Sequence, residues 1–139
     1  MREDRLEELE KNLIAIVGQR QLLTGVEKTK PYRTGIRVGE GVACAVAIPS
    51  NLVQFWQVLQ VCVRLDKIII IQAANTGLTG GSTPDGDNYD RDVVIISTLN
   101  LDQLILLNRG TQVVAAAGST LYQLEEKLSK LGRGPHSVI

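Results

Sequence analysis

The segment AANTGLTGGSTP, residues 73–84, gathers Gly77, Gly80 and Gly81 with the hydroxyls of Thr76, Thr79, Ser82 and Thr83, and no lysine or arginine falls between Lys67 and Arg91. Glycine lets a backbone approach a ligand closely and take left-handed conformations that cost other residues about 1–2 kcal/mol. Successive amides can then turn inward around an anion. Such a loop offers neutral donors in quantity and no cation. It is not a Walker loop, which needs a lysine and then Ser/Thr after the last glycine, because Gly81 is followed by Ser82-Thr83-Pro84. Nor is it GxGxxG, since the glycines run G-x-x-G-G. The chemistry that fits is a buried diphosphate held by main-chain donors, with apolar contacts holding the rest of a dinucleotide. A tight crossover turn between two strands would use the same glycines, and the residues alone leave that alternative open.

The other chemistry-bearing residues point to structural roles. Asp85, Asp87, Asp90 and Asp92 follow the loop, but the run lacks the terminal glutamate and flanking helices of a calcium loop and reads as a solvated turn. Cys44 and Cys62 sit inside apolar runs and are expected as buried free thiols. With His136 the single histidine and no CxxC or HxxxH spacing, no protein-built metal site is expected. His136, after Gly134-Pro135, is expected as a structural or near-cofactor residue and not as a base. No catalytic residue can be named.

Fifteen basic and fifteen acidic residues cancel, so no global field draws the chain to nucleic acid or an anionic membrane. The start MREDRLEELEKN is charged where a signal peptide needs an apolar stretch, and no apolar run approaches a membrane span. The segment is cytoplasmic in character. At 139 residues and 44% hydrophobic, the chain can build one domain or two small lobes sharing a core.

The elements that must position the loop follow from periodicity. Leu6, Leu9, Leu13, Ile14 and Val17 fall on one face of a helix over residues 3–17. Residues 24–41, with Pro31 and four glycines, read as a connector with local turns. VACAVAIP reads as a short buried strand closed by Pro49, with Ser50 capping a helix through about Leu65. Lys67–Gln72 and Asp92–Ser97 are unalternating strands, as expected when both faces are covered, so a βαβ unit extended by a third strand is predicted. Ile68–Ile71 and Val93–Ile96 should be near neighbours in one sheet, with the loop at its edge. Leu104–Leu107 and Gln112–Ala117, around Asn108-Arg109-Gly110, predict an antiparallel hairpin. Leu121, Leu124, Leu128 and Leu131 mark a helix over 119–131, with Thr120 and Gln123 as a capping box and Gly132 at its end. His136-Ser137-Val138-Ile139 looks like the start of a further strand, and the chain reads as truncated.

The stretch AANTGLTGGSTPDGDNYDRDVVIISTLNLDQL and the end LGRGPHSVI closely resemble the amino-terminal region of the quinone-dependent D-lactate dehydrogenase family, flavoproteins with a p-cresol methylhydroxylase-type FAD-binding domain. The resemblance covers nearly the whole chain. It implies an α+β class and an incomplete FAD-binding domain, with a small parallel sheet and helices over 1–100 and the start of a second lobe with antiparallel strands over 101–139. It also implies oxidation of D-lactate to pyruvate, with electrons passing from FAD to a membrane quinone at the cytoplasmic face of the inner membrane. Membrane association, a second FAD segment and the substrate domain would belong to regions beyond Ile139. The resemblance assigns Ala73, Ala74, Asn75, Thr76 and Gly77 as the first cofactor contact and Gly81 and Ser82 as the second. Many members have glycines where Ala73, Ala74 and Asn75 stand here, which makes Asn75 the residue expected in the left-handed region. Some members attach flavin through a histidine in this loop. This loop has none, so FAD is expected to be noncovalent. The alternative is a non-catalytic nucleotide-binding or scaffold module.

Overall fold

The computed structural model describes residues 1–135. His136 and the strand expected to begin there lie outside the described residues. Helix α1, Arg2–Val17, buries Leu9, Leu13 and Val17, with Leu6 and Ile14 half-buried beside them, as the apolar stripe requires. Glu3 and Asp4 lie in its first turn, where the helix dipole favours negative charge. A 3-10 turn at Gln19–Gln21 then leads into β1, Leu22–Leu23.

Residues 24–41 are more ordered than a connector. Val26–Arg33 form a second helix, α2, with Pro31 inside it. Pro31 removes one main-chain bond, and polar side chains supply the order that periodicity does not. The Thr29 hydroxyl donates to Gly25 O at 2.8 Å, and the Arg33 guanidinium donates to Thr29 Oγ1, Gly41 O and Val26 O at 2.9, 2.7 and 3.1 Å.

Strand β2, Ala45–Ala47, is wholly buried. Helix α3, Leu52–Arg64, is capped by Asn51 and not by Ser50: the Asn51 side chain accepts from Gln54 N at 2.9 Å, while Ser50 N donates to the Gln54 side chain at 2.8 Å. Strands β3, Ile68–Gln72, and β4, Val93–Ser97, follow. The sheet order is β1-β2-β4-β3, with β2, β4 and β3 parallel and β1 antiparallel at the edge. The third parallel strand therefore inserts between the other two and does not extend them. This leaves β4 buried throughout, whereas β3 is an edge strand with Ile71 51% exposed. Two equally β-branched runs carry no signal for which of them is central.

Strand alternation puts Ala45, Ala47, Val94 and Ile96 against α1 and α3, where they meet Leu9, Leu13, Val17, Val58, Val61 and Cys62. Each large aliphatic side chain buried there contributes on the order of 1.5–3 kcal/mol. Val46, Val93 and Ile95 are buried on the other face. The pairing of Ile68–Ile71 with Val93–Ile96 is in register, as expected.

The hairpin is present as β5, Leu104–Leu107, against β6, Gln112–Ala115. Its turn holds Asn108, Arg109 and Gly110 at φ of 47, 56 and 80°. Helix α4, Leu121–Ser129, carries the capping box of Thr120 and Gln123, and Lys127 Nζ ties it to Leu104 O at 2.9 Å.

Candidate functional site

The loop begins where β3 ends, at the carboxyl edge of the parallel sheet. Its first anchor is Gln72, a buried carboxamide that donates to Tyr32 O at 2.8 Å and to Ser82 O at 2.7 Å. Asn75, at φ +55° as its side chain allows, donates from Nδ2 to Thr34 O at 2.9 Å and accepts from the Ser82 hydroxyl at 3.0 Å. Thr83 is buried, and its hydroxyl donates to Gly80 O at 3.1 Å. A second glycine loop, residues 34–41, packs against this one. The Cα of Gly39, at φ +94°, lies so close to Thr83 that a Cβ there would meet the threonine hydroxyl. Gly41 bridges to Gly86, with Gly86 N donating to Glu40 O at 2.9 Å.

These ties sort the donors differently from the sequence. Ser82 and Thr83 turn their hydroxyls inward and use them within the loop, so they are not free donors. Thr76 and Thr79 stay exposed. Among the described residues, no backbone N–H from Ala73 to Ser82 donates to a protein acceptor. Ala73, Ala74, Thr76, Gly77, Thr79 and Gly81 form an exposed face of unengaged amides. A Cβ at Gly77 or Gly81 would meet no other part of the chain within 4 Å, and of the adjacent Gly80 and Gly81 the left-handed one is Gly80, at φ +73°. The Thr34 hydroxyl, where the two loops meet, is buried without a hydrogen-bond partner. Leu78, Ile36 and Val38 add exposed apolar surface. Neutral donors, open glycines, an orphaned hydroxyl and nearby apolar groups are a donor set that fits a diphosphate inside a larger, partly apolar cofactor.

Sequence reasoning missed Gln72, Tyr32, Thr34 and the glycines at 35 and 39. The density of glycine in TGIRVGEG was visible, but nothing in it named the loop on which it packs.

The acidic turn needs one correction. Asp85, Asp87 and Asp90 are exposed, but Asp92 is paired at 2.8 Å with Lys67, the two side chains being 11% and 5% exposed. That pair sits at the start of β3 and β4, opposite the loop. A concavity of about 410 Å³ there is lined by Arg5, Asp66, Lys67, Tyr89, Arg91 and Asp92 among others, and it does not include the glycine loop. Within it Arg91 reaches Asp66 at 2.9 Å and Asp90 at 3.1 Å.

Cys62 is buried and Cys44 half-buried, both as free thiols. Burial, and then the charge of Asp92, push the Cys44 thiol up to about 12, and burial pushes Cys62 up to about 11. Neither is a thiolate at neutral pH. Among the described residues no group of three His, Cys, Asp or Glu could hold a metal, and no helix is long and apolar enough to cross a membrane.

Solved structures with this arrangement include alkyldihydroxyacetonephosphate synthase, at TM-score 0.78 and 17% identity over 91% of this chain and 25% of that one. Another is p-cresol methylhydroxylase with substrate bound, at TM-score 0.74 and 15% identity over 93% and 25%. The fold is the p-cresol methylhydroxylase type. No family model matches the chain. Sequence comparison is sharper. The chain is 59% identical over 127 residues to quinone-dependent D-lactate dehydrogenase of Escherichia coli K12, covering 91% of this chain and 22% of the relative. The sequence likeness is to quinone-dependent D-lactate dehydrogenase. The enzyme of that name from Haemophilus influenzae is 52% identical over 134 residues, and that from Corynebacterium glutamicum 46% over 124. The chain spans about a quarter or less of the length of these quinone-dependent D-lactate dehydrogenases, 22 to 24%.

Proposed function

We propose that this chain forms the diphosphate-holding part of the FAD-binding domain of a flavoprotein that oxidises D-lactate to pyruvate and passes the electrons to a quinone. The observation that carries the proposal is the exposed row of unengaged N–H groups from Ala73 to Ser82, set at the carboxyl end of a parallel strand. Ligands bind at that edge in open α/β sheets. Ala73, Ala74, Asn75, Thr76 and Gly77 hold one side of the diphosphate through main-chain donors, and Gly81 and Ser82 hold the other. FAD, when bound, supplies the two-electron acceptor for the lactate carbinol carbon. The residues of this chain bind and orient it; those that take the lactate proton and bind its carboxylate belong to the rest of the enzyme. Residues 1–100 act as the first lobe of the domain and residues 101–139 begin the second.

The D-lactate and quinone specificity rests on the 46 to 59% identity to enzymes of that name. The cofactor is noncovalent, since the loop from Ala73 to Pro84 offers no histidine or cysteine to the flavin. The test is to purify the chain within its longer reading frame, record its visible spectrum, then precipitate the protein with acid. Flavin absorbance that moves to the supernatant is expected. A colourless protein that turns over no D-lactate with an artificial acceptor overturns the proposal in favour of a non-catalytic module, and flavin that stays with the pellet overturns the noncovalent mode.

A further inference from the structure

Gln72 closes β3 after four isoleucines, and its side chain is 2% exposed at a position where an apolar residue would cost nothing in desolvation. The network fixes which way its carboxamide points: both partners, Tyr32 O and Ser82 O, are acceptors, so only the NH2 end can satisfy them. Its two bonds tie the residue that starts the loop to the far end of the loop and to the last turn of α2. Asn75 repeats the tie with Thr34 and Ser82. No main-chain ladder runs through residues 73–82, so side chains beneath the loop must set its shape.

We infer that Gln72 is a positioning residue that holds the cofactor loop in its binding shape before any cofactor arrives, an inference that rests on the reading of residues 73–82 as the diphosphate-holding segment. Donors ordered in advance do not have to be ordered on binding, which is where preorganisation gains affinity.

The test compares Gln72→Met, which keeps length and loses both donors, with Gln72→Glu, which is nearly isosteric. At neutral pH the glutamate sets a carboxylate against two carbonyl oxygens. Protonated, it regains one O–H donor, and burial favours that form. Backbone 15N order parameters are measured on the cofactor-free chain. In both variants the values over residues 73–82 are expected to fall from the rigid range, about 0.85, to below about 0.6, while those of β4 stay unchanged. Lowering the pH from about 7.5 to about 5.5 should restore the loop in Gln72→Glu and not in Gln72→Met. An unchanged loop in both variants overturns the inference. So does joint loss of order in loop and β4, which would make Gln72 a core residue only. FAD titration of the same variants in the longer reading frame, expected to show about tenfold weaker binding, separates the two claims: a loosened loop with unaltered affinity overturns the loop's cofactor role and leaves the tie standing.

Discussion

A Cβ placed on Gly81 meets no other atom of the chain within 4 Å, whereas one on Gly80 meets Val38 at 3.3 Å on a backbone already at φ +73°. The two neighbours should therefore fail differently. Gly81→Val is expected to lower FAD affinity tenfold or more, about 1.4 kcal/mol, while leaving the urea midpoint unchanged. Gly80→Val should cost stability itself, about 1–2 kcal/mol for the left-handed backbone. Equal midpoint shifts in the two variants would show that Gly81 has a structural role and not a binding one. Asn75 was legible as the left-handed residue because its side chain tolerates that region. The inward turn of Ser82 and Thr83 was not, since their acceptors are set by tertiary folding. Thr83→Ala, which reads from sequence as the loss of one hydroxyl among several, should instead loosen the packing of Gly39 and Gly80 around it and raise proteolysis at the exposed Leu78. The two thiols give a pH dependence. Their folded values, about 12 and about 11, lie above the ordinary 9.0. The unfolded chain thus loses these protons first as pH rises. Their contribution is fully present below pH 9, and stability should fall from there toward about 12, with a slope near 1.4 kcal/mol per pH unit per thiol. Replacing both cysteines with alanine should flatten that part of the urea-midpoint profile.

The elements most legible in the sequence were those whose stability is written along one face or at one end. Leu9, Leu13 and Val17 in α1 and the Thr120–Gln123 box of α4 need no distant partner to be recognised. Helix α2 was hidden because Thr29 and Arg33 hold it by polar bonds, and the cap of α3 shifted by one residue because Ser50 and Asn51 are both good caps. Strand order was hidden because β3 and β4 have the same composition. The Lys67–Asp92 pair was hidden as well: Asp92 stands at the end of an acidic turn, and only the pairing of β3 with β4 brings its partner beside it. Lys67→Met should cost about 1.5–3 kcal/mol, because it removes the charged hydrogen bond that Lys67 Nζ makes to the Asp92 carboxylate at 2.8 Å. Lys67→Met/Asp92→Leu should recover most of that loss. A shift in urea midpoint at constant slope is the measurement, and a double variant no better than the single would mean that the pair's worth lies elsewhere.

For the whole molecule, a loop alone is one wall of a site. Enclosing a dinucleotide takes concave surface of about 300–1,000 Å³, and the 410 Å³ concavity lies at the opposite end of the strands. The chain by itself is therefore expected to bind FAD more weakly than micromolar and to show no D-lactate oxidation with an artificial acceptor. Submicromolar binding with turnover would overturn this. Ile105, Val114, Leu121 and Leu131 are half exposed on the hairpin and α4, so self-association in light scattering should accompany the isolated chain. The insertion of β4 between β2 and β3 bears also on how the molecule is made. Ala45 has no parallel neighbour until Val94 arrives, and Ile69 waits for the same residue. On the ribosome, then, β2 and β3 have no parallel partner until the whole glycine loop has been made, and the parallel part of the sheet closes in one late, non-local step. The loop is synthesised before the strand that fixes its exit, so a nascent chain that stops short of Val93 carries the proposed cofactor segment on α2 and residues 34–41 alone, before β4 has joined the sheet beside it.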